Sequence, residues 1–331
     1  MVTGSAGFVG FHTCQTFLWY KWKVIGLDAI TDYYDVNLKK DRHKILEENH
    51  DFKSYEGFLQ DQKLLEEIFS KHKPNIIIHL AAQAGVRYSI ENPISYVESN
   101  LIGTFHILEM ARKYKPEHLL IASTSSVYGS NKEMPLHENQ KSDTQMSFYA
   151  ATKKSNEAMA HSYSHLYDIP ITTFRFFTVY GPWGRPDMAL FKFTRNILSG
   201  KPIDVYNNGN MVRDFTYVSD IVEALYLLAQ NKKIKSEIFN IGSGKTISIN
   251  KLVSLLNGKK TFIPKRPGEP DITFADISKI KNKIGWKPKI DIKQGVKIML
   301  SNLNDYKDQP LWNKSSIKKA TSEWFKFLRN K

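Results

Sequence analysis

The sequence has little cysteine and no long apolar run. Cys14 is the single cysteine among 331 residues, so an internal disulfide is excluded, which agrees with a reducing compartment. The longest apolar runs, such as residues 75–82, are far shorter than the roughly 20 residues that a membrane-spanning helix needs. The N-terminus has no signal-peptide pattern. We therefore expect a cytoplasmic protein that does not enter a membrane.

Acidic residues are also relatively few, since 33 Asp and Glu stand against 47 Lys and Arg, giving a formal net charge of +14. The lysines are scattered, and no RNA-binding or zinc motif accompanies them, so we expect neither nucleic acid nor a metal ion as a ligand. A basic surface that attracts a small polyanion is the preferred interpretation, and a merely lysine-rich composition is the alternative.

Short apolar segments alternate with helix-length segments in the first half of the chain. The predicted strands lie at 23–29, 75–81, 118–124 and 171–177. This alternation predicts right-handed crossovers and a doubly wound parallel sheet, an α/β Rossmann fold. The alternation fades after about residue 178, and the length of the chain suggests about two domains. We expect one domain over 1–178 and a smaller α/β domain over 179–331.

Glycines at positions 4, 7 and 10 precede a helical pattern, and Asp28 ends the next predicted strand. Glycine lets the backbone approach a pyrophosphate, which the helix N-terminus also attracts. A carboxylate at Asp28 can accept both ribose hydroxyls and would repel a 2′-phosphate, which favours NAD over NADP. We predict a dinucleotide site that includes Gly4, Gly7, Phe8, Val9, Gly10 and Asp28. Only three residues precede Gly4, whereas a strand usually has about five, so we expect residues before Met1.

Tyr149 and Lys153 are spaced to share one face of a predicted helix. A nearby ammonium favours phenolate, so Tyr149 could take a proton from an alcohol. The alternative is an exposed tyrosine and a solvated lysine. The hydroxyl-rich segment 122–129 follows a predicted strand, at the edge where parallel sheets bind ligands. A hydroxyl there could bond the same substrate oxygen, although such loops often only cap helices.

Eight ordered segments resemble the nucleotide-sugar epimerase and dehydratase group of the extended short-chain dehydrogenases/reductases, over nearly the whole chain. The group most similar is the UDP-glucuronate 4-epimerases. The segments are VTGSAGFVG, HLAAQAGVRYS, ASTSSVYG, YAATK, RFFTVYGPWGRPDMALFKF, RDFTYVSDI, FNIGSG and RPGEPDITFADISKIK.

The resemblance implies roles for individual residues. Tyr149 would be the base, Lys153 its pKa-lowering partner and ribose ligand, and Thr124 the hydroxyl that shares the sugar 4-OH. Asn100 matches an asparagine that steadies the region of the active-site lysine, and both Asn100 and Ala81 would contact the cofactor. Two further arginines match residues that hold the UDP diphosphate, although each could be a surface cation: Arg213 and Arg266.

The resemblance also bears on the reaction. Dehydratases carry Asp and Glu where this chain has Ser125 and Ser126, so dehydration is not expected. Thr178 stands where epimerases of neutral sugars usually have Asn, which favours an acidic sugar. By resemblance, the carboxylate of this sugar would be surrounded by Ser125, Ser126, Thr178 and Arg185. Arg87 is an alternative partner, and the sequence does not rank it against Arg185.

The implied function is NAD-dependent 4-epimerisation of UDP-glucuronate to UDP-galacturonate through a transient 4-keto sugar. The alternatives are a 4-epimerase of UDP-glucose or UDP-N-acetylhexosamines, and a catalytically idle NAD-binding protein that binds other macromolecules. The family also implies a homodimer and a return of segments near 215–243 to the first domain.

Overall fold

The computed structural model describes residues 1–231, 234–264 and 270–301 of the chain. Its strands are β1 (Val2–Thr3), β2 (Val24–Asp28), β3 (Phe52–Glu56), β4 (Ile76–His79), β5 (His118–Thr124), β6 (Ile171–Phe176), β7 (Thr178–Tyr180), β8 (Ile203–Tyr206), β9 (Val212–Arg213), β10 (Phe215–Tyr217), β11 (Glu237–Ile241), β12 (Ile247–Ser248), β13 (Lys260–Ile263) and β14 (Ile272–Thr273).

Its α-helices are α1 (Phe8–Trp19), α2 (Val36–Glu47), α3 (Gln62–His72), α4 (Tyr88–Glu91), α5 (Pro93–Tyr96), α6 (Gly103–Tyr114), α7 (Phe148–Tyr167), α8 (Ala189–Leu198), α9 (Val218–Gln230), α10 (Ile249–Leu255), α11 (Ser278–Ile284) and α12 (Ile292–Ser301). A π-helical segment, Val97–Ile102, leads into α6, and single 3₁₀ turns occur at Ser125–Tyr128 and Asn207–Gly209. None of the helices in the described ranges is long and apolar enough to span a bilayer.

Seven parallel strands form the main sheet, in the order β11-β6-β5-β4-β1-β2-β3. The direction in which the chain adds strands reverses between β1 and β4, and such a switch point is where open parallel sheets bind ligands. The predicted doubly wound sheet is confirmed.

Helices cover both faces of this sheet, because its strands are apolar on both sides. Along β5, Leu119 and Ile121 join one core cluster, whereas Leu120 and Ala122 join the other. The first cluster includes side chains of α3, α6 and α7, and the second includes side chains of α1 and α9. Buried strands of this kind predict a near-continuous apolar run rather than strict alternation, as the sequence has.

A second region has its own core, built from α8, β8, α10 and α12 with the neighbouring strand β10. Ile203, Val205, Leu252 and Met299 are buried together there. The chain does not divide cleanly at residue 178, because β11 pairs with β6 in the main sheet and α9 packs on α1. The division into domains therefore stays a proposal.

Candidate active site

One large cavity lies at the carboxyl edge of the main sheet and continues into the second region. Its volume is about 1380 Å³. Its walls come from the ends of β1, β2, β4, β5 and β6, from α7, and from residues of the second region such as Arg213. The topology therefore brings segments from distant parts of the sequence to one site.

The glycine loop forms one wall, between β1 and α1. Gly4 has φ of +74°, a conformation that other residues rarely adopt, and a Cβ there would lie 2.8 Å from the backbone nitrogen of Ala81. A Cβ on Gly10 would lie 1.9 Å from the carbonyl oxygen of Gly4. Gly7 caps α1 without a side-chain hydrogen bond. The loop is thus a tight backbone cradle at a helix N-terminus, and it fits the pyrophosphate of a dinucleotide.

Asp28 ends β2 beside this loop. Its carboxylate accepts hydrogen bonds from the backbone N–H groups of Ala6, at 3.0 Å, and Ile30, at 2.9 Å. A carboxylate has about four acceptor positions, so these two bonds orient Asp28 and leave capacity for ribose hydroxyls. Phe8, Val9 and Ala81, which we predicted as cofactor contacts, also line the cavity.

Tyr149 lies in the first turn of α7, where the Ser147 hydroxyl caps the helix by accepting from the N–H of Ala150 at 3.1 Å. Burial raises the pKa of the Tyr149 phenol, and the main opposing effects are the positive charge of Arg185 and a hydrogen bond with Thr124. From the sequence we expected Lys153 to supply that charge. In the structure the positive charge that lowers the pKa of Tyr149 is that of Arg185.

Lys153 is buried on the cavity wall, one helical turn from Tyr149. Burial lowers its pKa to about 8, and the nearby charge of Glu157 acts in the opposite direction. On the side of β4, the ammonium of Lys153 faces His79, whose pKa falls to about 3 mainly through burial and also through that charge. His79 is therefore neutral, and its ring nitrogens bond the hydroxyls of Thr3 and Thr104 at 2.8 and 3.0 Å.

Asn100 lies behind the cavity rather than on its wall. It is fully buried in the π-helical segment and exchanges two hydrogen bonds with the backbone of Gln83, at 2.8 and 3.1 Å. Its amide also donates to the hydroxyl of Thr152, the neighbour of Lys153, at 3.0 Å. We expected Asn100 to contact the cofactor directly. Its position behind the cavity wall does not favour that contact. It braces the wall beside Lys153.

Three hydroxyl side chains, from the last residue of β5 and the two that follow it, line the cavity that Tyr149 also lines: Thr124, Ser125 and Ser126. The Thr124 hydroxyl accepts from the N–H of Ser126 at 3.2 Å, which begins the 3₁₀ turn after the strand. Thr178, at the start of β7, lines the same space. Thr124 therefore serves as a cap and also faces the cavity, so the two interpretations are compatible.

Arg185 lines the cavity and is engaged by a neighbour that the sequence analysis did not single out. Its Nε and Nη2 atoms donate to the two carboxylate oxygens of Asp187 at 3.0 and 2.6 Å. Burial alone would raise the pKa of Asp187, but the charge of Arg185, with smaller effects from Lys192 and Arg87, holds it below its usual range. Tyr33 also donates to Asp187, at 3.5 Å.

The structure describes two of the three remaining predicted arginines. Arg87 lines the cavity, and so does Arg213 at the far end, where its Nη1 donates to the backbone oxygens of Val212 and Asp271 at 2.9 and 3.0 Å. Arg266 lies outside the described residues. The structure thus places Arg87 and Arg185 near Asp187 and does not rank them as carboxylate ligands.

Comparisons with known proteins agree with this arrangement. A family model described as GDP-mannose 4,6 dehydratase matches residues 1–299. A probable UDP-glucuronate 4-epimerase of Rhizobium meliloti (strain 1021) is 43% identical over 320 residues, covering 89% of this chain and 94% of that protein.

Two solved structures are similar throughout. One is the UDP-glucuronic acid 4-epimerase of Bacillus cereus in complex with UDP-glucuronic acid and NAD, with a TM-score of 0.85, 34% identity, and coverage of 92% of this chain and 98% of that one. The other is a UDP-glucose 4-epimerase with UDP-glucose from Thermotoga maritima, with a TM-score of 0.84, 31% identity, and the same two coverages. This chain therefore belongs to the GDP-mannose 4,6-dehydratase family of the extended short-chain dehydrogenases/reductases.

Proposed function

We propose that this protein is an NAD-dependent UDP-glucuronate 4-epimerase that produces UDP-galacturonate. The observation that carries the proposal is a cavity that joins the glycine loop and Asp28 to Tyr149, Lys153 and a cluster of hydroxyl and arginine side chains. The names of the relatives in Rhizobium meliloti and Bacillus cereus support the same substrate.

The residues present fit NAD, because the backbone cradle at Gly4 and Gly10 has no room for side chains and Asp28 offers acceptors to a ribose. We assign Gly4, Gly7, Phe8, Val9, Gly10, Asp28 and Ala81 to its binding. When bound, NAD would take a hydride from C4 of the sugar and return it to the opposite face of the transient 4-ketone.

Tyr149 would remove the proton of the 4-hydroxyl and later return it to the new alcohol. Its phenol needs help to ionise, since burial raises its pKa, and the charge of Arg185 and the hydrogen bond with Thr124 act in the required direction. Lys153 would donate to the ribose and stabilise the phenolate when NAD is bound. Thr124 would hold the sugar 4-oxygen beside the phenol.

The acidic sugar would be recognised by Ser125, Ser126, Thr178 and one or both of Arg87 and Arg185, all on the wall of the same cavity. Hydroxyl donors and guanidinium groups suit a carboxylate, since charge-assisted hydrogen bonds are stronger than neutral ones. We propose Arg213, together with Arg266, for the diphosphate.

A 4-epimerase of neutral UDP-hexoses remains a second candidate, because both donors on one edge of Arg185 are already taken by Asp187. That pairing reduces the attraction that Arg185 alone would exert on a uronate. The similarity to the UDP-glucose 4-epimerase of Thermotoga maritima supports the same alternative.

We further propose a cytoplasmic homodimer with a dinucleotide domain over 1–178, to which 215–243 return, and a UDP-sugar domain over 179–331. Support for the dimer comes from the exposed apolar side chains Phe148 and Leu166, which lie 18 residues, or about five helical turns, apart on α7 and so share one face. Light scattering coupled to size exclusion would test the dimer.

The function is tested by incubating pure protein, without added reductant, with UDP-glucuronate, UDP-glucose and UDP-N-acetylglucosamine, and identifying products by NMR. We expect UDP-galacturonate from the first sugar. Turnover of the neutral sugars alone would favour the second candidate, and no turnover of any of them would favour an idle NAD-binding protein.

A further inference from the structure

A buried ion pair joins α7 to β6 behind the wall that carries Tyr149 and Lys153. Arg175 donates from Nε and Nη2 to the two carboxylate oxygens of Glu157, both at 2.8 Å, and each side chain is only 2% exposed. Burial acts to raise the pKa of Glu157, but the hydrogen bonds and charge of Arg175 hold it below its usual range. Glu157 is therefore an anion at neutral pH.

The same carboxylate is bonded to the strand that ends at the active site. The hydroxyl of Ser123, buried in β5, donates to Glu157 at 2.7 Å. Ser123 directly precedes Thr124, and Glu157 follows Lys153 by one helical turn and Tyr149 by two. One carboxylate thus connects the strand that carries the proposed hydroxyl with the helix that carries the proposed base.

Other side chains also contact this ion pair. Lys154 donates to Glu157 at 3.1 Å from a side chain that is 33% exposed, and to the hydroxyl of Ser142 at 2.9 Å. The guanidinium of Arg175 lies 4.6 Å from the ring centre of Tyr128. A buried ion pair is weak evidence for stability by itself, because apolar residues of similar volume often serve as well. We therefore looked for a functional role of the two buried charges of Arg175 and Glu157.

Besides its ion pairs with Arg175 and Lys154, the negative charge of Glu157 also acts on Lys153. Glu157 on α7 and neutral His79 on β4 interact electrostatically with this ammonium, and Tyr149 lies one turn before it on the same face of α7. Burial lowers the pKa of Lys153, and the negative charge of Glu157 acts against that effect. Without this anion, more of Lys153 would lose its proton near neutral pH, and with it the ability to stabilise a phenolate.

We propose that Glu157, held by Arg175 and Ser123, is a positioning residue that fixes Thr124 relative to α7 and supplies the negative charge that keeps Lys153 protonated. This inference rests on the proposed function for the roles of Thr124, Tyr149 and Lys153. The contacts of Glu157 do not depend on those roles.

The charge effect is tested without turnover, by NMR titration of the NAD-loaded protein labelled with carbon-13 at the lysine ε carbons. The Lys153→Met variant identifies the Lys153 signal. In Glu157→Gln, the titration midpoint of Lys153 should fall by about one pH unit or more, as expected for removing a nearby opposite charge. Glu66→Gln is a matched control, because Glu66 pairs with Lys113 at 2.6 Å on the exposed surface and should leave the midpoint unchanged.

Glu157→Gln leaves the Arg175 charge buried and could unfold the protein, so the double variant Glu157→Gln/Arg175→Met, which removes both charges, provides a second measurement. We expect the lowered midpoint in this variant too, and a matching shift of the alkaline limb of the activity profile to lower pH. A purely structural pair would affect thermal stability and leave both values unchanged. A Lys153 midpoint at the wild-type value in the folded double variant would overturn the proposal.

The positioning effect is tested by Ser123→Ala, which keeps the ion pair. We expect kcat to fall about tenfold or more with little change in KM or NAD content, since misplaced reacting groups cost rate rather than binding. An unchanged kcat would remove the link to Thr124. Absence of epimerase activity in the wild-type protein would instead refute the proposed function, while the NMR titration would still report on Glu157.

Discussion

The substitution Gly10→Ala tests whether the glycine loop is shaped for close backbone approach. The new Cβ would lie 1.9 Å from the carbonyl oxygen of Gly4 and 2.7 Å from its carbonyl carbon, whereas real Cβ atoms essentially never approach within 3.0 Å. The neighbours are backbone atoms, so no side chain can move aside. The backbone must shift, and each hydrogen bond to the charged pyrophosphate lost in this way would cost about 1.5–3 kcal/mol, or up to roughly 10²-fold in affinity.

We therefore expect Gly10→Ala to lose about two orders of magnitude in NAD affinity. Overpacking should also destabilise the fold by about 1–3 kcal/mol, which lowers Tm by several degrees. Gly7→Ala should show a smaller loss, because its Cβ would lie 2.9 Å from the same oxygen. Bound NAD is measured after gel filtration, and affinity by calorimetry on the apo protein.

Gly285→Ala is the control, since a Cβ there meets nothing within 4 Å and only the positive φ of +71° opposes it. It should cost about 1–2 kcal/mol of stability and leave NAD affinity unchanged. If Gly10→Ala binds NAD as tightly as wild type, the glycine loop is not the pyrophosphate site and the reasoning is refuted.

Tyr149→Phe should lower kcat by at least about 10²-fold, the lower range for a lost general base, while NAD stays bound; comparable turnover would remove Tyr149 from that role. The double variant Arg185→Ala/Asp187→Asn removes both members of an ion pair. We expect KM for UDP-glucuronate to rise about tenfold more than KM for UDP-glucose, because a hydrogen bond between charged groups contributes about 1.5–3 kcal/mol. Equal losses for both sugars would leave Arg87 as the carboxylate partner. Activity should decline as pH rises through about 8, because burial lowers the pKa of Lys153 to about 8 and the charged form of Lys153 is the active one. A pH–rate profile that stays flat through pH 9 would contradict the proposed role of Lys153.

The sequence predicted the parts of the fold and site that depend on local spacing. β5 has the bounds that the apolar segment 118–124 predicted, and Gly4, Gly10 and Asp28 lie around one loop because β1 and β2 are adjacent. Tyr149 and Lys153 both line the cavity because residues four apart share a helix face.

Spacing could not predict contacts that depend on tertiary packing. Asp187 was missed although it is two residues from Arg185, because a short separation in a loop does not show which side chain a carboxylate will bind. The effect of Arg185 on Tyr149 joins residues 36 positions apart, and only the folded chain reveals it. Asn100 was expected at the cofactor and lies behind the wall, since its motif carries no information on burial depth.

The central claim is that the sugar C4 is oxidised and reduced in place, and it is tested most directly with UDP-glucuronate that carries deuterium at C4. Pure protein with its bound NAD is incubated with this substrate in ordinary water, and the product is examined by NMR. The account predicts UDP-galacturonate that keeps the deuterium at C4, because hydride leaves and returns at the same carbon. UDP-galacturonate with ordinary hydrogen at C4 would contradict it.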